Sequence, residues 1–314
     1  MNLSKLLNRK SITVIGLNSG TSVDGLDLAA IRVNKRFASP AYKYLIGLEK
    51  KFPSPLRQMT LSVADSPRAT INEMMSLDSQ LGQFFGRSAA SFMKKLSRAG
   101  IKVDLISSHG QTIRHLPLPA PAWTVQAGSL DRIAALTGKI VIGDFRQADI
   151  ALGGEGAPIT TGAVSALLSH STESRLIVNI GGISNFFYLP SSRNPAKIAA
   201  GDCGPGNSLC DLLAQRLFSQ KFDRGGRIAR AGEISKRLLT LLMGHPWFRQ
   251  ANKSTGRESF GPSMADRLIR RGKSLGLSDR DLMTTAAELT ACSIALSVWK
   301  YLRSDEKMIN LYFT

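Results

Sequence analysis

The sequence is poor in the residues that build metal clusters and disulfide frameworks. Its 314 residues include three cysteines and four histidines. Cys203, Cys210 and Cys292 make neither an even disulfide set nor a metal-type pair, and so few thiols fit a reducing cytoplasm. Acids are also scarce. Asp and Glu number 23 against 41 Lys and Arg, a net charge of +18. Long hydrophobic runs are missing. The first apolar run, residues 12–17, breaks at Asn18-Ser19-Gly20, short of the about 7–15 residues of a secretory core. No stretch of sequence approaches the ~20 apolar residues of a membrane span. We therefore expect no signal peptide and no membrane partner. The basic residues are scattered, with only short clusters such as Arg267, Arg270, Arg271 and Lys273. No basic run interleaves with aromatics, and zinc, helix-turn-helix and RNA-binding signatures are absent, so no specific nucleic-acid partner is expected. The charge reads as a solvated basic surface or as attraction for small anionic substrates.

What the chain does have is length and apolar content enough for two domains, with 43% of residues apolar. Residues 12–17 and 26–33 read as strands flanking a Gly-rich turn. Residues 70–100 read as a long helix, with Met74, Leu77, Leu81, Phe84 and Phe85 at helical spacing and Gly100 as a stop. "VDLISSHGQT" reads as a buried strand running into a polar turn, and "WTVQAGSLDRIAALTGKIVIGDFR" as strand, helix, strand. Residues 176–189 repeat the layout of residues 12–33, two apolar strands around a tight turn. Then come the Gly-rich stretch "GDCGPGN", a helix over 208–218 and a helical remainder ending in 281–303. Strand and helix alternation with antiparallel hairpins predicts α/β layers with mixed sheets, and the repeated hairpin predicts two related domains, 1–146 and 147–314, facing each other across a cleft.

Six places carry candidate chemistry. In "GLNSGTSVDG", Gly20 and Gly25 permit an anion nest of backbone N–H groups. Ser19, Thr21 and Ser22 add hydroxyls there, and Asp24 suits a hydrated Mg²⁺. The turn lacks the Lys of a Walker A loop, and it reads equally as a hairpin with an unusual loop. In "NIGGISN", Gly181-Gly182 allows a second close approach, flanked by Asn179 and Asn185. "SSHGQTIRH" offers His109, either catalytic or a satisfied structural histidine, with Gln111 and Thr112 suited to ligand hydroxyls. Arg146 follows a strand end and suits a ligand carboxylate, or else pairs with Asp149. The loop "KSTGRESFG" either folds over a ligand or is ordinary surface. Asp202, in "GDCGPGN", is either a general base or a turn former, and Asn207 stands where it would cap the following helix.

Seven motifs in order, "GLNSGTSVDGLD", "SSHGQTIRH", "GDFRQADIALGGEGAPI", "NIGGISN", "GDCGPGN", "FDRGG" and "KSTGRESF", resemble the anhydro-N-acetylmuramic acid kinase family over nearly the whole chain. The resemblance implies an actin-like, sugar-kinase/Hsp70-type fold of two α/β domains. It implies ATP and Mg²⁺ as cofactors, a small anhydro-muramic sugar as substrate, a cytoplasmic setting and a homodimer. ATP would phosphorylate O6 of the sugar while water opens the 1,6-anhydro bridge, giving N-acetylmuramic acid 6-phosphate in cell-wall recycling. The resemblance places the water-activating base at Asp202. It assigns the ATP-binding turn to Ser19, Gly20, Thr21, Ser22, Val23, Asp24, Gly25 and Leu26, and sugar contacts to Gln111, Thr112 and Arg146. From the residues themselves, Asn179, Gly181 and Gly182 are expected at the nucleotide, Asp24 at the metal, and Gly204 and Asn207 at the sugar. Asn18 stands where the family usually has Met, and Glu155 where it usually has Gln. Family members continue past the last helix with a strand and a Gly-Gly-Gly turn that holds adenosine. Residues 308–313 match the start of that strand, and the turn is not in this sequence. The alternatives are an inactive remnant of such a kinase or a basic binding protein on the same fold.

Overall fold

A computed structural model describes residues 4–313 except 5, 7, 21, 22, 35–40, 117–121, 193–196, 250–256 and 303–308. The chain divides into two units, Met1–Ile159 and Thr160–Thr314.

In the first unit, β1 (Ser11–Ser19), β2 (Gly25–Asn34) and β3 (Ala41–Lys51) form an antiparallel meander. Helices α1 (Ser54–Asp65) and α2 (Ile71–Arg98) follow, then β4 (Leu105–Leu116), which returns parallel to β1. The remaining elements are β5 (Trp123–Ala127), α3 (Leu130–Thr137), β6 (Ile140–Gly143) and α4 (Phe145–Ala151). Strand order is β3-β2-β1-β4-β5, with β6 also pairing β4.

The central strands alternate buried and less buried positions, as residues on one sheet face must. Ile15, Leu17, Leu26 and Leu28 meet Leu77, Leu81, Phe85, Ala89 and Phe92 of α2 in one core. Helix α2 starts at a capping box, where Thr70 and Glu73 satisfy each other's backbone N–H. It ends at Gly100, φ 72°, with Ile101 N–H bonded back to Leu96.

The second unit repeats the plan. After α5 (Thr161–Leu168), strands β7 (Ser174–Ile180), β8 (Ile183–Leu189) and β9 (Ala199–Pro205) form a meander. Helices α6 (Asn207–Phe218), α7 (Lys236–Met243), α8 (Pro262–Ser274) and α9 (Asp279–Leu302) intervene before β10 (Ile309–Phe313) returns parallel to β7. The order β9-β8-β7-β10 matches β3-β2-β1-β4. The expected strand at residues 308–313 is present as β10.

Three local expectations change. The stretch "SSHGQTIRH" is strand, since β4 continues to Leu116. The Gly-rich stretch around Asp202 is also strand, the end of β9. And α9 is long and apolar enough by composition to cross a membrane. It instead buries Leu282, Met283, Ala286 and Leu289 in the helical core of this unit, and Ile294 and Val298 against the sheet.

Candidate active site

In the second unit the polar candidates form a row. Asn179 pairs with Asn185 across β7 and β8, and Asn185 pairs with Asp202 across β8 and β9. Cross-strand partners share a sheet face, so the three side chains project together. Two residues back on the same face lies the apolar row Ile177, Phe187 and Ala200, packed with Val164 of α5. The opposite face carries Val178, Phe186 and Cys203 against α9. Asp202 therefore closes a line of two amides on the face away from α9.

A bulge sets its position. The β8–β9 register passes from Asn185 opposite Asp202 to Ser184 opposite Gly204, leaving Cys203 as the extra residue. Such insertions twist a strand end and re-aim its side chains. Gly204 adopts φ 131°, open to glycine, and the buried Ser184 hydroxyl binds the Gly204 and Pro205 carbonyls at 3.2 and 3.1 Å.

The Gly181-Gly182 turn joins β7 to β8 and is held by the start of α6. Asn207 N–H donates to the Gly181 carbonyl at 2.8 Å, and Gly206 N–H to the Gly182 carbonyl at 3.0 Å. The Ser208 hydroxyl also donates to the Gly182 carbonyl, at 2.7 Å. A Cβ at Gly206 would lie 2.3 Å from the Gly181 carbonyl oxygen, so glycine here allows a close backbone approach. The first N–H groups of α6, the usual anion donors of a helix N-terminus, are thus spent on fixing the turn. Asn207 does not cap the helix as the sequence suggested. Gly206 holds the N-cap position, and the Asn207 amide donates to the Ile180 carbonyl at 2.9 Å.

In the first unit the turn after β1 is pinned from beneath. Ser19 Oγ lies 2.5 Å from Gln111 Oε1 and 2.9 Å from the Gly25 carbonyl oxygen. Gln111 Nε2 donates to the carbonyls of Gly20 and Thr112, each at 3.2 Å. Gln111 is 0% exposed, so its amide organises the turn and does not face solvent. Thr112 accepts a long hydrogen bond from Gln126. Gly25 is needed where β3 passes close, since a Cβ would meet the Lys50 carbonyl oxygen at 2.5 Å. Val23 is buried at φ 55°, and Leu26 is core. Asp24 keeps 48% of its side chain exposed, 3.8 Å from Arg57. Thr21, Ser22 and residues 253–256 of the "KSTGRESFG" loop lie outside the described residues.

A cavity of about 330 Å³ in the same unit is lined by Asp78, His109, Gln126, Ser129, Asp144 and Gln147, among others. His109 borders it beside a second bulge. Between Leu17 opposite Ser108 and Ser19 opposite Gln111, β4 spends one residue more than β1, and Gly110 takes φ 73° there. Arg146, in the first turn of α4, donates from Nε to His109 Nε2 at 3.0 Å and from Nη1 to the Gly156 carbonyl at 2.8 Å. Asp149 instead accepts from Gly156 N–H at 2.7 Å. Burial first, and then the Arg146 charge, hold the His109 imidazole below its usual pKa. This contact joins residues 37 apart in sequence, and only the strand-end position of Arg146 hinted at it. Among the described residues, no group of three or more His, Cys, Asp or Glu side chains is placed to hold a metal.

The family model for anhydro-N-acetylmuramic acid kinase matches residues 12–310. An anhydro-N-acetylmuramic acid kinase from Salinibacter ruber is 35% identical over 319 residues, spanning 98% of this chain and 80% of that enzyme. Among solved structures, the activator of the 2-hydroxyisocaproyl-CoA dehydratase from Clostridium difficile with bound ADPNP is 10% identical, with 96% of this chain and 80% of that one covered at a TM-score of 0.38. A ROK family glucokinase from Streptomyces griseus in complex with glucose and AMPPNP is 9% identical, with 96% and 94% covered at a TM-score of 0.32.

Proposed function

Because the chain belongs to the anhydro-N-acetylmuramic acid kinase family, we propose that it is a sugar kinase that uses ATP to phosphorylate 1,6-anhydro-N-acetylmuramic acid while opening its anhydro bridge. The family match over residues 12–310 carries this reading, and the Asn179–Asn185–Asp202 row supplies a carboxylate in a suitable setting.

A water oxygen bonds to the anomeric carbon C1 and loses a proton to Asp202, acting as general base. The C1–O6 bond of the bridge breaks, and O6 forms a bond to the γ-phosphorus of ATP. The bond from that phosphorus to the β,γ-bridging oxygen breaks and ADP leaves. The products are N-acetylmuramic acid 6-phosphate and ADP. Asn185, beside the acid, donates amide hydrogens that orient the water or a sugar hydroxyl. The turn at Ser19 to Leu26 and the Gly181-Gly182 turn are assigned to the nucleotide, where glycine lets backbone N–H groups approach phosphate oxygens. Gln111 serves the first turn from below, and Asn207 the second. Thr112, Arg146 and Gly204 are assigned to the sugar.

Mg²⁺ commonly binds through one or two carboxylates together with substrate phosphates. An exposed acid at the first turn fits that donor set, so Asp24 is assigned to the ion, which would offset charge on the transferring phosphoryl group. The family resemblance supports a cytoplasmic homodimer as the working form, and sedimentation of the purified chain checks the dimer.

The experiment is direct. Purified protein is incubated with the anhydro sugar, ATP and Mg²⁺, and the 6-phosphate is sought by mass spectrometry. A folded protein that makes none contradicts the reading.

A further inference from the structure

We propose that His109 is a positioning residue for substrate recognition: as a neutral acceptor it fixes the orientation of the Arg146 guanidinium that takes the carboxylate of the muramic sugar's lactyl group. This rests on the sugar-kinase reading and on the assignment of Arg146 to the sugar.

Three observations carry it. The Arg146 Nε–H can only donate, so His109 Nε2, 3.0 Å away, is the acceptor and carries no proton. The other ring nitrogen, Nδ1, lies 3.0 Å from the Gly110 carbonyl oxygen and must be the donor. These two contacts fix both the tautomer and the ring plane. The β4 bulge at Gly110, φ 73°, supplies that carbonyl and turns the ring toward α4. Finally, Arg146 Nη1 is tied to the Gly156 carbonyl, and Gly156, φ 70°, is itself held by Asp149. With Nε and Nη1 anchored, the long arginine side chain has little rotational freedom left. A guanidinium set in advance loses less entropy when it takes a carboxylate.

Protonation of His109 would replace the acceptor with a second cation facing Arg146. The charged and titratable groups around the ring are Arg146 and Asp144 at the start of α4, Asp78 of α2 across the cavity, and His115 on β4 itself. The two acids line the cavity that the ring borders. They do not restore the acceptor.

The test compares wild type with His109→Leu and His109→Gln. A glutamine places Oε1 where Nε2 stood and does not titrate in the working range. Sugar binding is measured by calorimetry, and KM and kcat by coupled assay from pH 5 to 8. Two sugars are used, 1,6-anhydro-N-acetylmuramic acid and 1,6-anhydro-N-acetylglucosamine, which lacks the lactyl carboxylate. His109→Leu is expected to weaken binding of the muramic sugar and raise its KM by about tenfold or more, with a much smaller effect on kcat and on the glucosamine sugar. His109→Gln is expected to recover most of that affinity and to flatten the acid limb of kcat/KM. Long-range ¹H–¹⁵N NMR of the unliganded protein should show His109 with its proton on Nδ1. A proton on Nε2, equal losses for both sugars, or unchanged binding in His109→Leu would overturn the proposal while leaving the kinase reading intact. A wild-type protein that binds neither sugar would overturn the kinase reading itself, and this proposal with it.

Discussion

Asp202 stands opposite Asn185 in the β8–β9 ladder, one residue before the bulge at Cys203. The acid is thus carried on a hydrogen-bonded strand, at the end of a row of amides, and its direction is fixed by the sheet.

A base at this position predicts that Asp202→Asn keeps the fold and loses turnover. The amide is nearly isosteric and remains in the ladder, so the thermal midpoint should move little. General-base catalysis contributes on the order of 10²–10⁴, so kcat should fall by about that factor with sugar affinity held within severalfold. Parallel kinetics and calorimetry check this.

Gly206→Ala should be destabilising for a backbone reason. Its Cβ would lie 2.3 Å from the Gly181 carbonyl oxygen and 3.0 Å from that of Gly182, neither of which belongs to a flexible side chain. Overpacking of this kind costs about 1–3 kcal/mol, so the midpoint should drop by about 2–10 °C. Nucleotide affinity should fall with it, since the same contact shapes the Gly181-Gly182 turn. A thermal scan with and without ATP tests both.

The fold was largely legible from pattern alone. The alternating apolar residues around Ile15, Leu28, Ile177 and Phe187 announce half-buried strands, and the helical spacing from Leu77 to Phe85 announces α2. The two stretches misread as turns share one cause. Glycine and proline near Asp202, and Gly110 beside His109, carry the composition of turns, yet each serves a bulge or a close approach inside or beside a strand. Which residues stand opposite one another depends on register. Nothing local to Asn179, Asn185 or Asp202 shows that they align, and nothing local to His109 shows that Arg146 reaches it. The motif order identified the family, and the structure shows Gln111 working under the turn where the sequence suggested a hydroxyl binder.

That finding predicts the behaviour of Gln111→Leu. The substitution removes the partner of Ser19 and leaves the Gly20 carbonyl without its side-chain donor. Losing hydrogen bonds at a buried site costs about 1–3 kcal/mol. Chemical denaturation should show that loss, and KM for ATP should rise more than KM for the sugar.

His115 predicts an acid-side dependence of stability. Burial, and then the Arg146 charge, lower its pKa from 6.5 to about 4, and neither ring nitrogen has a hydrogen-bond partner. The unfolded chain therefore binds this proton at higher pH than the folded protein. Its contribution is complete above about pH 6.5 and is lost as the pH falls toward 4. Urea titrations across that window should show a shallower decline for His115→Phe than for wild type.

The most direct measurement of the central claim is the mass and bonding of the product formed from 1,6-anhydro-N-acetylmuramic acid, ATP and Mg²⁺ in ¹⁸O-labelled water. The account predicts a sugar heavier than the substrate by one phosphoryl group and one labelled water, with phosphate on O6, label on C1 and one ADP per product. A phosphorylated sugar that keeps its anhydro bridge, or ADP formed without any sugar phosphate, would contradict it.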